Sequence, residues 1–258
     1  MKPENPDICD LDTALDYLGR QTLGQVHGSF LGRFNPAIPR RLVQFWDQDP
    51  PEEIRRLLDH NAKICAALGL QHICYTDATA RQFLTQHYSA EMLEIYDKAP
   101  HAAIRSDLFR YGELAVNGGW YLDADMALRE NGPAIWSTKS RAVVFKWCLP
   151  QRRNICNWFF GVAKAHPLMQ HVCARASQNC AQWLNSTASD QKIIRSALSV
   201  AGPGLFTRAI AEFLRTQVQD TQIATVEQAY RIVMNGPEYL RAPLAYKSTP
   251  RHWHKAGT

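Results

Sequence analysis

The sequence predicts an α/β protein: an open, twisted and mostly parallel sheet flanked by helices. Three observations predict this. Short β-branched and aromatic runs alternate with longer stretches whose apolar residues recur at helical spacing. The first of these units, 41–46, 51–68 and 71–75, reads strand, helix, strand, the pattern of a parallel pair joined by a crossover helix. The chain has 258 residues, of which 46% are apolar and 21% charged, enough for one domain with a buried sheet.

Residues 1–36 are expected to form an N-terminal helical extension. Leu11, Leu15 and Leu18 recur at helical spacing behind Asp10 and Asp12, and Gly24, Gly28 and Gly32 mark a following loop. The main domain takes 37–258. Arg41 to Trp46 is a strand, ended by Asp47-Gln48-Asp49-Pro50-Pro51. Pro51 opens a helix with Ile54, Leu57, Leu58, Ile64, Ala67 and Leu68 on one face, and Gly69 ends it. Gln71 to Tyr75 is the second strand. Residues 77–98 are helical by pattern, and Pro100 starts another helix that turns Ile104, Leu108, Tyr111, Leu114 and Ala115 inward. Asn117-Gly118-Gly119 stops that helix and Trp120-Tyr121-Leu122 is a buried strand. Ala142 to Trp147 and Trp158 to Ala163 continue the sheet. Helices are expected over 167–185 and from Gly202-Pro203-Gly204 to Gln217, and strand-like pieces over 222–226 and 230–234, before an irregular basic tail.

Composition excludes several function classes. The net charge of +5, from 29 basic and 24 acidic residues, is diffuse, and no helix carries a basic run interleaved with aromatics, so nucleic acid is not an expected partner. The longest apolar stretches are too short and too interrupted to span a membrane. The polar, proline-punctuated start, Met1 to Asp7, is unlike a secretory signal, so the expected location is cytoplasmic, with peripheral contact at the inner membrane face as an option. The seven cysteines contain no C-x-x-C pair and sit mostly among apolar neighbours, as Cys74 does, which predicts buried free thiols. His166, His171 and Cys173 have near-helical spacing, but a helix with partly buried polar residues explains them better than a zinc site.

The chemistry is concentrated between Ile104 and Asp125. Asp123 and Asp125 follow an apolar strand directly, so they fall at its carboxyl end, where open α/β sheets bind ligands. In extended backbone residues i and i+2 point the same way, so both carboxylates are expected to address one point while Ala124 turns away. A divalent cation, Mg²⁺ or Mn²⁺, is the usual compensation for such a pair, with water and substrate phosphates completing its shell. An Asp-x-Asp triplet alone is more often a pair of solvated loop carboxylates or caps. The context sharpens it here, because Asp107 and Arg110 share a helix face just before the double glycine and the aromatic strand.

The block Arg105-Ser106-Asp107-Leu108-Phe109-Arg110-Tyr111, followed by Gly118-Gly119-Trp120-Tyr121-Leu122-Asp123-Ala124-Asp125, resembles the DXD sugar-binding region of mannosyltransferase-like glycosyltransferases. It is also similar to the catalytic core of the large clostridial glucosylating toxins. Upstream, Ile38 to Trp46 resembles the first strand of that family, written I-P-K-x-I-H-Q-x-W; Gln44 and Trp46 match, and Val43 stands at the histidine. The resemblance implies a GT-A-like fold over 37–258 and a UDP- or GDP-linked sugar donor. It also implies dependence on Mn²⁺ or Mg²⁺ and transfer with retention of anomeric configuration.

Position by position, it implies that Trp46 stacks on the nucleotide base and that Asp107 and Arg110 hold donor-sugar hydroxyls. Asp123 contacts ribose and sugar, Asp125 ligates the metal, Tyr121 lines the pocket and Asn157 lies close to the donor. The tail supplies His252 or His254 to the metal, Trp253 as a cover, and Lys247, Arg251 or Lys255 to the diphosphate. Arg110 and Asp125 carry catalysis by stabilising charge on the leaving diphosphate, and no residue is assigned as a general base. Read otherwise, Trp46 and Tyr121 are core aromatics, Asn157 caps a turn and the tail is a solvated basic segment. The acceptor expected is a glycan or glycolipid in cell-surface polysaccharide synthesis, with a protein acceptor, as for a toxin-like effector, as the alternative. A metal-dependent phosphohydrolase using the same aspartates is less well supported, since two-metal sites usually gather more carboxylates or histidines.

Overall fold

The computed structural model describes residues 37–130, 140–147, 154–186, 200–216 and 221–249. The extension expected over 1–36 and the tail residues His252, Trp253 and His254 lie outside them. Within them, a six-stranded sheet has the order β2-β1-β3-β6-β5-β7. Its strands are β1 (Arg41–Phe45), β2 (Gln71–Tyr75), β3 (Gly119–Leu122), β5 (Ala142–Lys146), β6 (Ile155–Val162) and β7 (Thr221–Thr225). β1 pairs in parallel with both β2 and β3, and β5 with β7, whereas β6 is antiparallel to both its neighbours. All strands but β6 therefore run one way. A separate two-stranded ribbon pairs β4 (Met126–Leu128) with β8 (Val233–Asn235), antiparallel.

Alternation along the strands builds a core on each face of the sheet. Val43, Phe45, Tyr121, Val144 and Phe160 point to one face. There they meet helices α2 (Asp77–His87), α3 (Ala90–Lys98), α4 (Ala102–Asn117), α5 (Pro167–Leu184) and α6 (Pro203–Thr216). Leu42, Trp120, Val143, Phe145 and Phe159 point to the other, toward α1 (Glu52–Ala67), the β4–β8 ribbon and the short helix α7 (Val226–Ala229). A further short helix, α8 (Gly236–Leu240), and a 3-10 turn at Ala245–Ser248 follow β8.

Three expectations change in detail. The helix expected over 77–98 is two, because Tyr88 is extended and the Ser89 hydroxyl accepts from the Met92 amide, capping a new helix. β6 begins at Ile155 rather than Trp158. Cys74 is exposed, on the edge strand β2, while Cys65, Cys156, Cys173 and Cys180 are buried as free thiols. Of the histidines and cysteine near α5, the His166 ring accepts from the Leu168 amide and caps that helix, His171 lies beside Glu212, and the Cys173 thiol meets the Tyr88 hydroxyl.

The central helix α4 is buried from Ser106 to Ala115, and two features fix where it delivers β3. Arg41, on β1, contacts Glu113 at 2.6 Å and donates to the Gly118 carbonyl at 2.9 Å, tying helix, turn and first strand together. Gly118 and Gly119 both have positive φ, 65° and 110°. A Cβ at Gly118 would run into the backbone of Lys164, and one at Gly119 into the side chain of Arg41. Gly118→Ala and Gly119→Ala are each expected to lower stability by about 2–4 kcal/mol, from strain plus clash. Urea unfolding checks this; midpoints equal to the wild type would contradict the account.

Candidate active site

From β1 the chain runs outward to β2 and then returns across β1 to form β3, so the winding reverses between β1 and β3. Ligands of open α/β sheets bind outside the carboxyl ends of strands at such a reversal. Trp46 directly follows β1 there, and Asp123 directly follows β3.

A buried guanidinium organises the site. Arg110, from α4, lies 3.0 Å from Asp123 Oδ1 and 3.3 Å from Asp107 Oδ1. It donates to the Asn157 carbonyl at 2.7 Å, the Ser106 hydroxyl at 2.8 Å and the Ser106 carbonyl at 3.3 Å. Its Cζ stands 4.2 Å from the centroid of the Tyr121 ring, a cation–π contact. Tyr121 in turn donates its hydroxyl to Asp123 Oδ1 and meets the Ser106 hydroxyl, both at 3.2 Å. Asn157 donates to Asp107 at 2.9 Å and to the Tyr111 hydroxyl at 3.0 Å, and Tyr111 donates to the Ala201 carbonyl. Asp107, Arg110, Tyr121, Asp123 and Asn157 thus form one network, in which Asp107 and Arg110 are buried rather than a surface pair.

The cluster holds two carboxylates to one guanidinium in a poorly hydrated place. Burial raises the Asp107 carboxyl to about 7 against the pull of Arg110, with Asp123 adding to the rise and Asn157 opposing it. Burial likewise raises Asp123 to about 6, opposed by Arg110 and helped by Asp125. For Arg110 the balance reverses: burial works to lower its pKa, but Asp123, Tyr121 and Asp107 hold it well above its ordinary value. The Asp123 side chain remains 32% exposed and so is the member a ligand can reach.

Asp125 has separate surroundings. The triplet is a turn, closed by the Met126 amide on the Asp123 carbonyl at 3.1 Å, and not the extended segment expected. Asp125 therefore leaves the Arg110 network and meets the 3-10 turn instead: Lys247 Nζ at 2.8 Å and the Tyr246 hydroxyl at 2.9 Å, both on Oδ2. The Tyr246 amide donates to Glu53 at 2.8 Å, and its ring stands edge-on to Trp46 with centroids 5.1 Å apart. This strap brings Trp46, Asp125 and Lys247 to one place, and Ala124 is buried. Tyr246, Ser106 and Tyr111 carry no sequence signal of their own as members of the site.

Among the described residues no group of three or more His, Cys, Asp and Glu converges to hold a metal. The two aspartates nevertheless suit a hard cation that takes one or two carboxylates and fills its shell with water and phosphate oxygens.

Residues 40–141 match the family described as glycosyltransferase sugar-binding region containing DXD motif. Over 97 residues the chain is 35% identical to an uncharacterized glycosyltransferase of Acanthamoeba polyphaga mimivirus, a match covering 36% of this chain and 38% of that one. Over 143 residues it is 28% identical to inositol phosphoceramide mannosyltransferase 3 of Schizosaccharomyces pombe, covering 53% of this chain and 36% of the other. These matches span well under half of the relatives' length. Among solved structures, the fold is similar to the PaToxG glycosyltransferase, with a TM-score of 0.51, 15% identity and coverage of 95% and 94% of the two chains. It is similar also to the UDP-bound glycosyltransferase domain from the YGT toxin, with a TM-score of 0.51, 10% identity and coverage of 81% and 87%. Residues 40–141 therefore match a glycosyltransferase sugar-binding region containing a DXD motif, and the mixed, mostly parallel sheet that carries them is similar in fold to solved glycosyltransferases.

Proposed function

We propose that this protein is a metal-dependent glycosyltransferase that moves a hexose, with retention, from a UDP- or GDP-linked donor to a glycan or glycolipid acceptor in cell-surface polysaccharide synthesis. The observation that carries the reading is the Arg110 cluster. A buried cation fixes Asp107 and Asp123 at the switch point of the sheet, with Asp125 and Trp46 nearby. Fixed carboxylates suit sugar and ribose hydroxyls, which donate hydrogen bonds to them. Trp46 offers an aromatic surface to a base. Lys247, next to Asp125, can meet the negative charge that grows on a departing diphosphate. A bound Mn²⁺ or Mg²⁺, held by Asp125 and Asp123 with His252 or His254 as tail candidates, would supply further charge neutralisation. Holding donor and acceptor in one geometry contributes the rest.

The relative from Schizosaccharomyces pombe is named for mannosyl transfer to inositol phosphoceramide, which favours mannose as the hexose and a glycolipid as the acceptor. The likeness of fold to two toxin domains keeps a protein acceptor as the second reading.

A hydrolysis screen of UDP- and GDP-sugars with Mn²⁺ or Mg²⁺ tests the class. One nucleoside diphosphate is expected to be released slowly, only with metal, and Asp125→Ala is expected to lose that release. No cleavage or binding of any donor, with no effect of EDTA, would sink the reading. The charge imbalance of the cluster makes a second prediction. A carboxyl raised from 3.8 to about 7 in the fold contributes stability that is full below the unfolded value and lost as pH rises through the folded one. Wild-type stability is therefore expected to fall between pH 4 and pH 8 relative to Asp107→Asn, by at most about 4 kcal/mol. Urea midpoints at the two pH values measure it, and parallel curves for the two proteins would refute it.

A further inference from the structure

Asn61 lies fully buried in the middle of α1, in line with Ile54, Leu57 and Cys65 on the inner face of the helix. A polar residue in that stripe must be hydrogen-bonded or it destabilises the fold. Its partners identify what it does. The Leu128 amide donates to Asn61 Oδ1 at 2.8 Å, and Asn61 Nδ2 donates to the Met126 carbonyl at 2.9 Å. In a parallel sheet one residue bonds in this way to the two residues flanking its neighbour, so the Asn61 carboxamide stands where a parallel strand would stand opposite Ala127. β8 pairs with β4 on the other edge. The β4 segment, which leads directly out of Asp123-Ala124-Asp125, is thus held between a strand and a side chain.

The same carboxamide sets the polarity of a relay. A backbone N–H can only donate, so the Leu128 amide fixes Oδ1 as the acceptor and Nδ2 as the donor. Nδ2 also lies 3.2 Å from Gln44 Oε1, which must then accept. His72 Nε2 approaches that same oxygen at 2.8 Å and so carries the proton. With its oxygen doubly engaged, Gln44 turns its Nε2 to the Asp123 carbonyl, 3.2 Å away. Burial holds the His72 pKa down and so favours the neutral ring, with Asp59 opposing it. Gln44, like Asn61, is fully buried.

We propose that Asn61 is a positioning residue for the donor site. Through its own bonds and through Gln44 it fixes the backbone at Asp123, Met126 and Leu128, and so sets the separation and direction of the two aspartates. The inference rests on the reading of those aspartates as a metal and diphosphate site.

Binding of Mn²⁺, followed by the loss of its free-ion electron paramagnetic resonance signal in the presence of UDP or GDP, tests it without reference to turnover. Asn61→Ala is expected to weaken Mn²⁺ binding by about tenfold or more, the scale of lost support behind a metal ligand. Val172→Ala, which opens a cavity in α5, is expected to leave it within about twofold, as for a distant site. If Asn61→Ala does not fold, His72→Ala carries the test, with a loss of about threefold expected from one missing hydrogen bond. Mn²⁺ affinity in the folded variant no weaker than in Val172→Ala overturns the positioning role while leaving the donor site intact. Absence of Mn²⁺ binding in the wild type, unchanged by Asp125→Ala, overturns the donor-site reading and the positioning role with it.

Discussion

The structure turns on a guanidinium taken out of water. Arg110 is buried because α4 is the central helix of the helical layer, and a charge placed there must be fully engaged or it destabilises the fold. Its engagements recruit residues from three elements: Ser106 and Asp107 from the same helix, Tyr121 and Asp123 from β3 and its end, and Asn157 from β6. None of these carboxylates would sit so deep without the cation, and the cation would not be tolerated without them. The site is therefore set by electrostatic neutralisation, and the apolar core fits around it.

What was legible in the sequence follows from how local each interaction is. Asp107, Arg110, Tyr121 and Asp123 fall within a stretch of 17 residues, and helix, glycine turn and strand place them by short-range geometry alone. The strand–helix–strand start and the carboxyl-end position of the aspartates were legible for the same reason. The turn at Asp123–Asp125 was not, since it is imposed by the Gly236 amide on the Asp125 carbonyl, by β8 and by Asn61. Tyr246 and Lys247 reach Asp125 across more than a hundred residues, a distance that no periodicity reports. Asn61 did leave a trace, as a polar residue in an apolar stripe, although the pattern alone does not name its partners.

Two kinds of support meet at the aspartates. From the helical layer, Arg110 and Tyr121 hold the Asp123 side chain. From the opposite face, Gln44 holds the backbone at Asp123 and Asn61 holds it just after the triplet, at Met126 and Leu128. A site built in this way is preorganised from both faces of the sheet, so a ligand need order little of it when it binds. Adaptation is left to the rim.

The rim feature with the widest consequence is the strap carrying Tyr246 and Lys247. It covers one edge of Trp46 and already engages Asp125 Oδ2, so a ligand that takes that oxygen exchanges an existing partner for a new one. The apparent affinity then reports a competition between an internal cation and an external one. Because Lys247 is 44% exposed, that competition responds to ionic strength. Raising salt screens the tethered ammonium and the arriving ion together, so the net preference between them shifts by the difference of the two effects.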